Sequence, residues 1–114
     1  MSAITHFIQR LDAQPLEIQF ADFLDLIEQH YEFSPVAFSN GSAQNSSEQN
    51  QGSAKVLAFG RLNGLSESQT LTCFGEHYRS VLDTPEGADH QNIRQFMVHG
   101  WAGVSLPSDC LVEK

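Results

Sequence analysis

Residues 74–104 read FGEHYRSVLDTPEGADHQNIRQFMVHGWAGV and carry the clearest helix start and stop signals of the chain. The stretch holds three of the five histidines, the only tryptophan and four of the eight glycines. Apolar side chains recur at helical spacing on both sides of a turn at 83–88. Two amphipathic helices are therefore predicted. A capping box of Ser66 and Gln69 opens the first, and Asp89 caps the second, which ends at Gly100.

Three further helices are predicted ahead of this stretch. Apolar side chains at i, i+3, i+4 and i+7 from Ile4 indicate a first helix, which Ser2 can cap. A second apolar stripe predicts a helix over 19–31. A third helix follows Ser53 and should close at Gly64 in the left-handed conformation, which glycine adopts without steric cost. The total is about five helices.

The β content predicted for the chain is small. Pro35 disfavours helix on both sides of itself, so residues 33–38 are expected to be extended, with 101–106 as their partner. The fold class is therefore α+β: a mainly helical single domain with a small β element and a core rich in phenylalanine, of which the chain has eight. We place this domain at 1–106, because 114 residues is the size of one domain, and expect 107–114 to be a frayed C-terminal tail.

The composition changes sharply at residues 39–53, SNGSAQNSSEQNQGS, which contain no large apolar side chain and one charge. Such a run buries too little apolar surface to offset its ordering entropy, so a mobile polar loop is predicted. Two interpretations stay open. The loop is either a tolerated insertion or a lid or binding loop over a cleft.

The charge balance excludes two classes of partner. Fourteen acidic and six basic residues give a net charge of -8, which repels both nucleic-acid backbones and anionic lipid surfaces. The turn at 63–66 is reminiscent of a helix-turn-helix, but the following helix offers only Arg79 for phosphate contacts. No nucleic acid and no membrane are expected as partners.

The cysteines and the apolar runs exclude further classes. Cys73 and Cys110 are far apart in sequence, with neither a disulfide framework nor a zinc motif. No apolar run approaches the roughly 20 residues that span a bilayer, and no signal-peptide pattern is present. A cytoplasmic location is the default expectation.

The histidines offer no metal site within one helix. His90 and His99 are nine residues apart, about 13 Å along a helix axis, so one ion cannot bind both of them. Glu76 and His77 are adjacent and therefore diverge on a helix. A site would have to be assembled across helices, for instance from His77 with His90 or His99. No metal and no cofactor are expected.

A polar cluster is predicted at the start of the last helix. His90 and Arg94 are four residues apart and therefore neighbours on one face, with Asn92 close by. Together they could bind a carboxylate or phosphate group, although a plain salt bridge is the preferred interpretation for Arg94. Trp101 is expected to pack on the end of this helix, with its indole N–H bonded to an acceptor.

Several segments of the sequence resemble the HopJ type III effector family. They are FSNG at 38–41, NQGS at 50–53, NGLS at 63–66, FGEHY at 74–78 and DHQNIRQFMVHGW at 89–101. The resemblance runs from near the N-terminus to about Leu106 and implies a bacterial source. It implies no reaction, because the family brings no established catalytic residues. It does nominate polar positions in the matched segments as candidate binding residues.

The function expected from these observations is a small binding or interaction domain, with a host or bacterial protein or a small anionic ligand as partner. The alternative is a small hydrolase or metal-dependent enzyme with a cleft under the 39–53 loop. A first helix that begins almost at Met1 leaves no spare export leader, so we expect the bacterial cytoplasm, with type III secretion as the alternative. The candidate binding residues are Asn40, Asn50, Gln51, Glu76, His77, His90, Asn92, Arg94, His99 and Trp101.

Overall fold

The computed structural model describes residues 3–107 and 109–114, and in them the chain forms six α-helices and five short strands. The helices are α1 Ala3–Ala13, α2 Phe20–His30, α3 Gln51–Leu62, α4 Glu67–Thr72, α5 Glu76–Asp83 and α6 Gln91–His99. The strands are β1 Tyr31–Phe33, β2 Phe38–Asn40, β3 Ala43–Asn45, β4 Val104–Ser105 and β5 Leu111–Glu113. Short 3-10 turns occupy Pro15–Glu17 and Gly100–Gly103. The predicted α+β class with mainly helical content is confirmed.

The core is built around aromatic rings from four elements. Phe59 of α3 is fully buried, and its ring centroid lies 6.2 Å from Phe7, 5.5 Å from Phe23 and 5.8 Å from Tyr31, in each case edge-on. Edge-to-face packing is favourable because the positive edge of one ring meets the negative face of the next. The helices α1, α2 and α3 are joined through this cluster, as the predicted phenylalanine-rich core requires.

One predicted helix is two helices in the structure. The apolar stripe after Ser66 was expected to run through one element, but α4 ends at Thr72 and α5 begins at Glu76. The predicted capping box of Ser66 and Gln69 is present and starts α4. The break comes from Gly75, whose φ of 60° and ψ of -128° lie outside helical geometry. The count is therefore six helices in the described part and not five.

The polar segment 39–53 is not a structureless loop. Its first residues form the β2–β3 hairpin, which pairs Phe38 with Asn45 and turns at Gly41 with a φ of 58°. Its last residues begin α3, which starts after Asn50 and not after Ser53. The mobile loop was predicted because the segment has almost no apolar side chains to bury. In the structure, asparagine and glutamine side chains supply the hydrogen bonds that order the segment.

The strand pairing also differs from the prediction. The 101–106 region does form a strand, but β4 pairs with Ser39 and Asn40 of β2, just after the predicted partner segment 33–38. β1, however, pairs antiparallel with β5, which belongs to the predicted tail 107–114. The expectation that this tail frays is wrong, because Cys110 and Leu111 are buried and Leu111 lies opposite Phe33 in the ladder.

The structure confirms some of the predicted helix ends and corrects others. Asp89 was expected to cap the last helix, but the N-cap of α6 is His90, and the Asp89 carboxylate binds Arg94 instead. The predicted capping role of Ser2 falls on a residue outside the described part of the chain. Gly64 has the expected left-handed φ of 64°, and Gly100 ends α6 as predicted.

In the described residues no helix combines the length and the apolar character that crossing a membrane requires.

Candidate functional site

A cleft of about 290 Å³ opens where the first turns of α3, α5 and α6 meet the start of α2. It is small for a ligand pocket, so its occupant would have to be a small molecule or one group of a larger partner. Its walls combine two phenyl rings, two imidazoles, three side-chain amides and one hydroxyl group. The lining residues are Phe20, Asn50, Gly52, Ser53, Phe74, His77, His90, Gln91, Asn92 and Ile93.

Two histidines from different helices meet in this cleft. The ring centroids of His77, at the start of α5, and His90, just before α6, are 5.1 Å apart with an angle of 39° between the planes. Phe20 packs against His77 at 5.1 Å in an edge-on orientation. In residues 3–107 and 109–114, the ring nitrogens of the two histidines make no hydrogen bond within the chain. They are therefore free to bind a ligand.

Two helix N-termini border the same cleft. α3 begins after Asn50, and α6 begins after His90. These two residues have φ values of 53° and 51°, and in the described part of the chain they are the non-glycine residues with positive φ. Neither N-cap side chain accepts a hydrogen bond from its own helix. The first N–H groups of a helix have no intrahelical acceptor and carry the positive end of its dipole. Gly52 and Asn92, in these first turns, line the cleft.

A network of four asparagine side chains ties the hairpin to both N-termini. Asn45 and Asn92 form a reciprocal amide pair, with Nδ2–Oδ1 distances of 3.2 Å and 3.1 Å. Asn50 donates from Nδ2 to Asn45 Oδ1 at 2.7 Å. Asn40 donates from Nδ2 to the carbonyl oxygen of Asn92 at 2.7 Å. Since Asn40, Asn45 and Asn92 are buried, these bonds are poorly screened and fix the two N-termini relative to each other.

The network leaves one buried atom without a partner. Asn40 is fully buried, and its Oδ1 has no hydrogen-bond donor in the described part of the chain. Asn40 does not line the cleft, so its role is to hold Asn92 and not to touch a ligand. Gln51 is also structural, because its side chain accepts from the Val36 N–H and donates to the carbonyl oxygens of Ser46 and Gln49.

Glu76 lies at the start of α5, and its carboxylate is bound to the start of α2. Its Oε1 accepts a hydrogen bond of 2.7 Å from the backbone N–H of Phe20, the first residue of α2. This bond is the main reason that the pKa of Glu76 is lowered from its ordinary value. Glu76 serves as a cap for another helix, which places Phe20 beside the cleft.

We expect Glu76→Gln to reduce the free energy of unfolding at pH 7 by about 0.5–1 kcal/mol, because a neutral amide accepts this bond less strongly and the site is exposed to solvent. A carboxyl whose pKa is lowered in the folded state stabilises the protein above its unfolded pKa. That contribution is lost as the pH falls through the folded pKa. The difference between variant and wild type should therefore shrink towards pH 3. Urea unfolding at both pH values measures it, with Glu86→Gln in the exposed 83–88 turn as the control.

Arg94 is a salt-bridge partner in the structure. Its guanidinium binds Asp89 Oδ1 at 2.7 Å and the carbonyl oxygen of Thr84 at 2.8 Å. The hydrogen bond from Arg94 holds the pKa of Asp89 below its ordinary value. Arg94 is thus occupied in closing the 83–88 turn onto α6. Asp89 Oδ2 lies 3.9 Å from His90 Nε2, beyond hydrogen-bond distance.

The two remaining candidates lie away from the cleft. His99 is exposed at the end of α6 and packs against the backbone of Gly41 and Gly103. The Trp101 ring packs edge-to-face against Phe96, with 5.0 Å between ring centroids. Its indole N–H donates a hydrogen bond of 3.3 Å to the Leu65 carbonyl oxygen. The predicted packing of Trp101 on the helix end is what the structure shows.

The structure therefore brings together four of the ten candidates in one cleft: Asn50, His77, His90 and Asn92. Sequence reasoning missed Asn45 as the centre of the amide network. It also missed six wall residues of the cleft: Phe20, Gly52, Ser53, Phe74, Gln91 and Ile93. Phe20 and Phe74 were assigned to the core because both fall on apolar stripes. A signal for Asn45 existed, since a polar run rich in asparagine can order itself through side-chain bonds to the backbone.

The thiols and acidic groups give no second chemical centre in the described residues. Burial raises the pKa of the Cys73 thiol, and it also raises the pKa of Cys110, so neither favours the reactive thiolate. No group of three or more His, Cys, Asp or Glu side chains is arranged to hold a metal ion in the described part of the chain.

The fold and cleft define a small α+β domain with a polar pocket at two helix N-termini. Residues 4–111 match the family described as HopJ type III effector protein, and the chain belongs to the HopJ family. It is similar to a solved structure titled "Crystal structure of unknown function protein VPA0580", with 45% sequence identity and a TM-score of 0.93. The alignment covers 100% of this chain and 95% of the other. A comparison with curated proteins gives no match.

Proposed function

We propose that this chain is a binding domain for a small anionic ligand, held in the cleft between His77 and His90. The observation that carries the proposal is the convergence of two imidazoles and two helix N-termini on one small pocket. Imidazole N–H groups and the first N–H groups of helices are donors that favour carboxylate and phosphate oxygens. The ligand is a small free anion, or a single carboxylate or phosphate group on a protein partner.

The amide network supports this proposal. Asn45 is hydrogen-bonded to Asn50, which precedes α3, and to Asn92, which lies in the first turn of α6. A pocket whose walls are held by buried hydrogen bonds needs little reorganisation when a ligand binds, which favours affinity. The aromatic wall of Phe20 and Phe74 adds a face on which a planar ligand group can pack.

Titration with inorganic phosphate, in the presence of a chelator, tests the proposal. We expect the amide resonances of Gly52 and Asn92 to shift in a ¹H–¹⁵N correlation spectrum and to saturate. Loss of one charge-assisted hydrogen bond costs about 1.5–3 kcal/mol, so His90→Gln should weaken binding by about tenfold or more. Acetate is the matched probe for a carboxylate ligand.

His6→Gln is the control, because His6 lies on α1 in a groove between α1 and α2 and does not line the cleft. It should bind phosphate as the wild type does. Shifts that spread over the whole surface without saturation, or equal affinity in His90→Gln, would contradict the proposal.

The hydrolase alternative has less support. An acid–base pair needs a carboxylate within hydrogen-bond reach of a cleft imidazole, and Asp89 is both too far from His90 and bound to Arg94. We therefore prefer binding to catalysis.

We also propose that the protein is located in the bacterial cytoplasm. The alternative is type III secretion, since the family is described as a type III effector protein. A translocation reporter fused to the full chain decides between the two.

A further inference from the structure

We propose that His77 and His90 together bind a divalent transition metal ion such as Zn²⁺, within the same cleft. The inference rests on the proposed function in one respect, because both place a ligand in this cleft. It differs from the sequence analysis, which predicted no metal. It begins from the relative position of the two rings, which lie on separate elements and approach each other to 5.1 Å between centroids.

This separation suits a shared ion. Zinc binds imidazole nitrogen at about 2.0–2.1 Å, and two imidazoles at a tetrahedral angle on one zinc have ring centroids about 5 Å apart. Imidazole is also the side chain that Zn²⁺, Ni²⁺ and Cu²⁺ share as a preferred ligand. In the described residues both rings lack hydrogen-bond partners, so neither nitrogen must first be released from the protein.

The surroundings favour a cation at this position. The Asp89 carboxylate lies near this position, with Oδ2 3.9 Å from His90 Nε2, and its negative charge favours a cation there. Phe20 packs edge-on against His77 and restricts its ring. The net charge of -8 raises the local concentration of cations around the molecule.

The site would have two protein ligands, because no third His, Cys, Asp or Glu joins them in the described part of the chain. The other coordination positions therefore face the cleft and are filled by water or by an anionic ligand. An ion with open positions is the arrangement of sites that bind small molecules and not of closed structural sites. The ion and the anion of the proposed function would then bind cooperatively.

Titration of the full-length chain with ZnCl₂ in a non-chelating buffer at pH 7.5 tests this inference. Calorimetry should give one ion per chain, and long-range ¹H–¹⁵N spectra of the imidazoles should show shifts at His77 and His90 but not at His6. His77→Gln and His90→Gln should each lower the Zn²⁺ affinity at least about tenfold, whereas His6→Gln should leave it unchanged.

Absence of saturable Zn²⁺ binding, or saturation without a shift of these two imidazoles, would overturn the inference. Should a variant fail to fold, the wild-type imidazole spectra decide alone. Phosphate titration with EDTA present separates the two proposals. Phosphate binding without zinc binding leaves only the proposed function standing, and zinc binding without phosphate binding leaves only this inference.

Discussion

We expect Gly75→Ala to lower the free energy of unfolding by about 3–5 kcal/mol, the sum of a strained backbone and an overpacked contact. Gly75 has a φ of 60° and a ψ of -128°, a conformation that side chains other than glycine rarely adopt. An added Cβ would also lie 2.5 Å from the backbone nitrogen of Phe20 and 2.8 Å from the backbone carbon of Gln19. Backbone atoms cannot rotate away as a side chain can.

Gly64→Ala is the matched control for this substitution. Gly64 has a similar φ of 64°, but no atom lies within 4 Å of the position of an added Cβ. Gly64→Ala should therefore lower the free energy of unfolding only by the backbone conformational term, about 1–2 kcal/mol. Urea unfolding of the two variants separates strain from contact. Equal losses in both would show that the approach of Gly75 to α2 contributes nothing.

The same substitution should disturb the cleft. The break at Gly75 lets the chain turn between α4 and α5, so that Phe74 and His77 both face the pocket while Glu76 caps α2. Forcing this turn apart moves the start of α5 away from Phe20. We therefore expect the His77 and His90 imidazole resonances of a folded Gly75→Ala protein to shift as well.

The second large effect is expected for Asn45→Ala, about 2–4 kcal/mol of unfolding free energy. This variant removes the reciprocal amide pair and leaves the Nδ2 group of Asn92 buried without an acceptor. It also removes the acceptor of Asn50, although Asn50 is exposed enough for water to replace it. An unpaired buried donor costs more than the hydrogen bond contributes, because it keeps its full desolvation penalty.

Gln44→Ala is the control for Asn45→Ala, because Gln44 is the exposed neighbour on the same strand. It should change stability by no more than about 0.5 kcal/mol. A double-mutant cycle with Asn92→Ala should show coupling, since the two amides contact each other. A loss at Asn45 no larger than at Gln44 would mean that the asparagine network does not hold the hairpin.

The helices were the most predictable part of the fold. The stripe from Ile4 gives α1, the 19–31 stripe gives α2, and Ser66 with Gln69 opens α4 as the capping pattern indicated. These are local effects, because a helix start needs only its own first turn and an amphipathic face needs only its own period. The left-handed φ of Gly64 belongs with them.

The errors share a different cause, which is dependence on distant partners. The helix breaks at Gly75, where the backbone lies against Gln19 and Phe20, and β5 is ordered because Phe33 lies opposite Leu111. The 39–53 segment looked structureless because its side chains are polar, but Asn45 finds Asn92 almost fifty positions further along the chain. Nothing local in the sequence reports a partner at that separation.

The amino-acid sequence by itself determined the helical periods, the Ser66–Gln69 capping box, the aromatic core and the HopJ family, because each of these is encoded in neighbouring residues or in short motifs. The tertiary structure alone decided which polar residues share a cleft. His77 and His90 stand on different helices, and Asn50 and Asn92 are joined only through Asn45. Their convergence depends on the packing of whole elements and on buried hydrogen bonds, which a one-dimensional pattern does not contain.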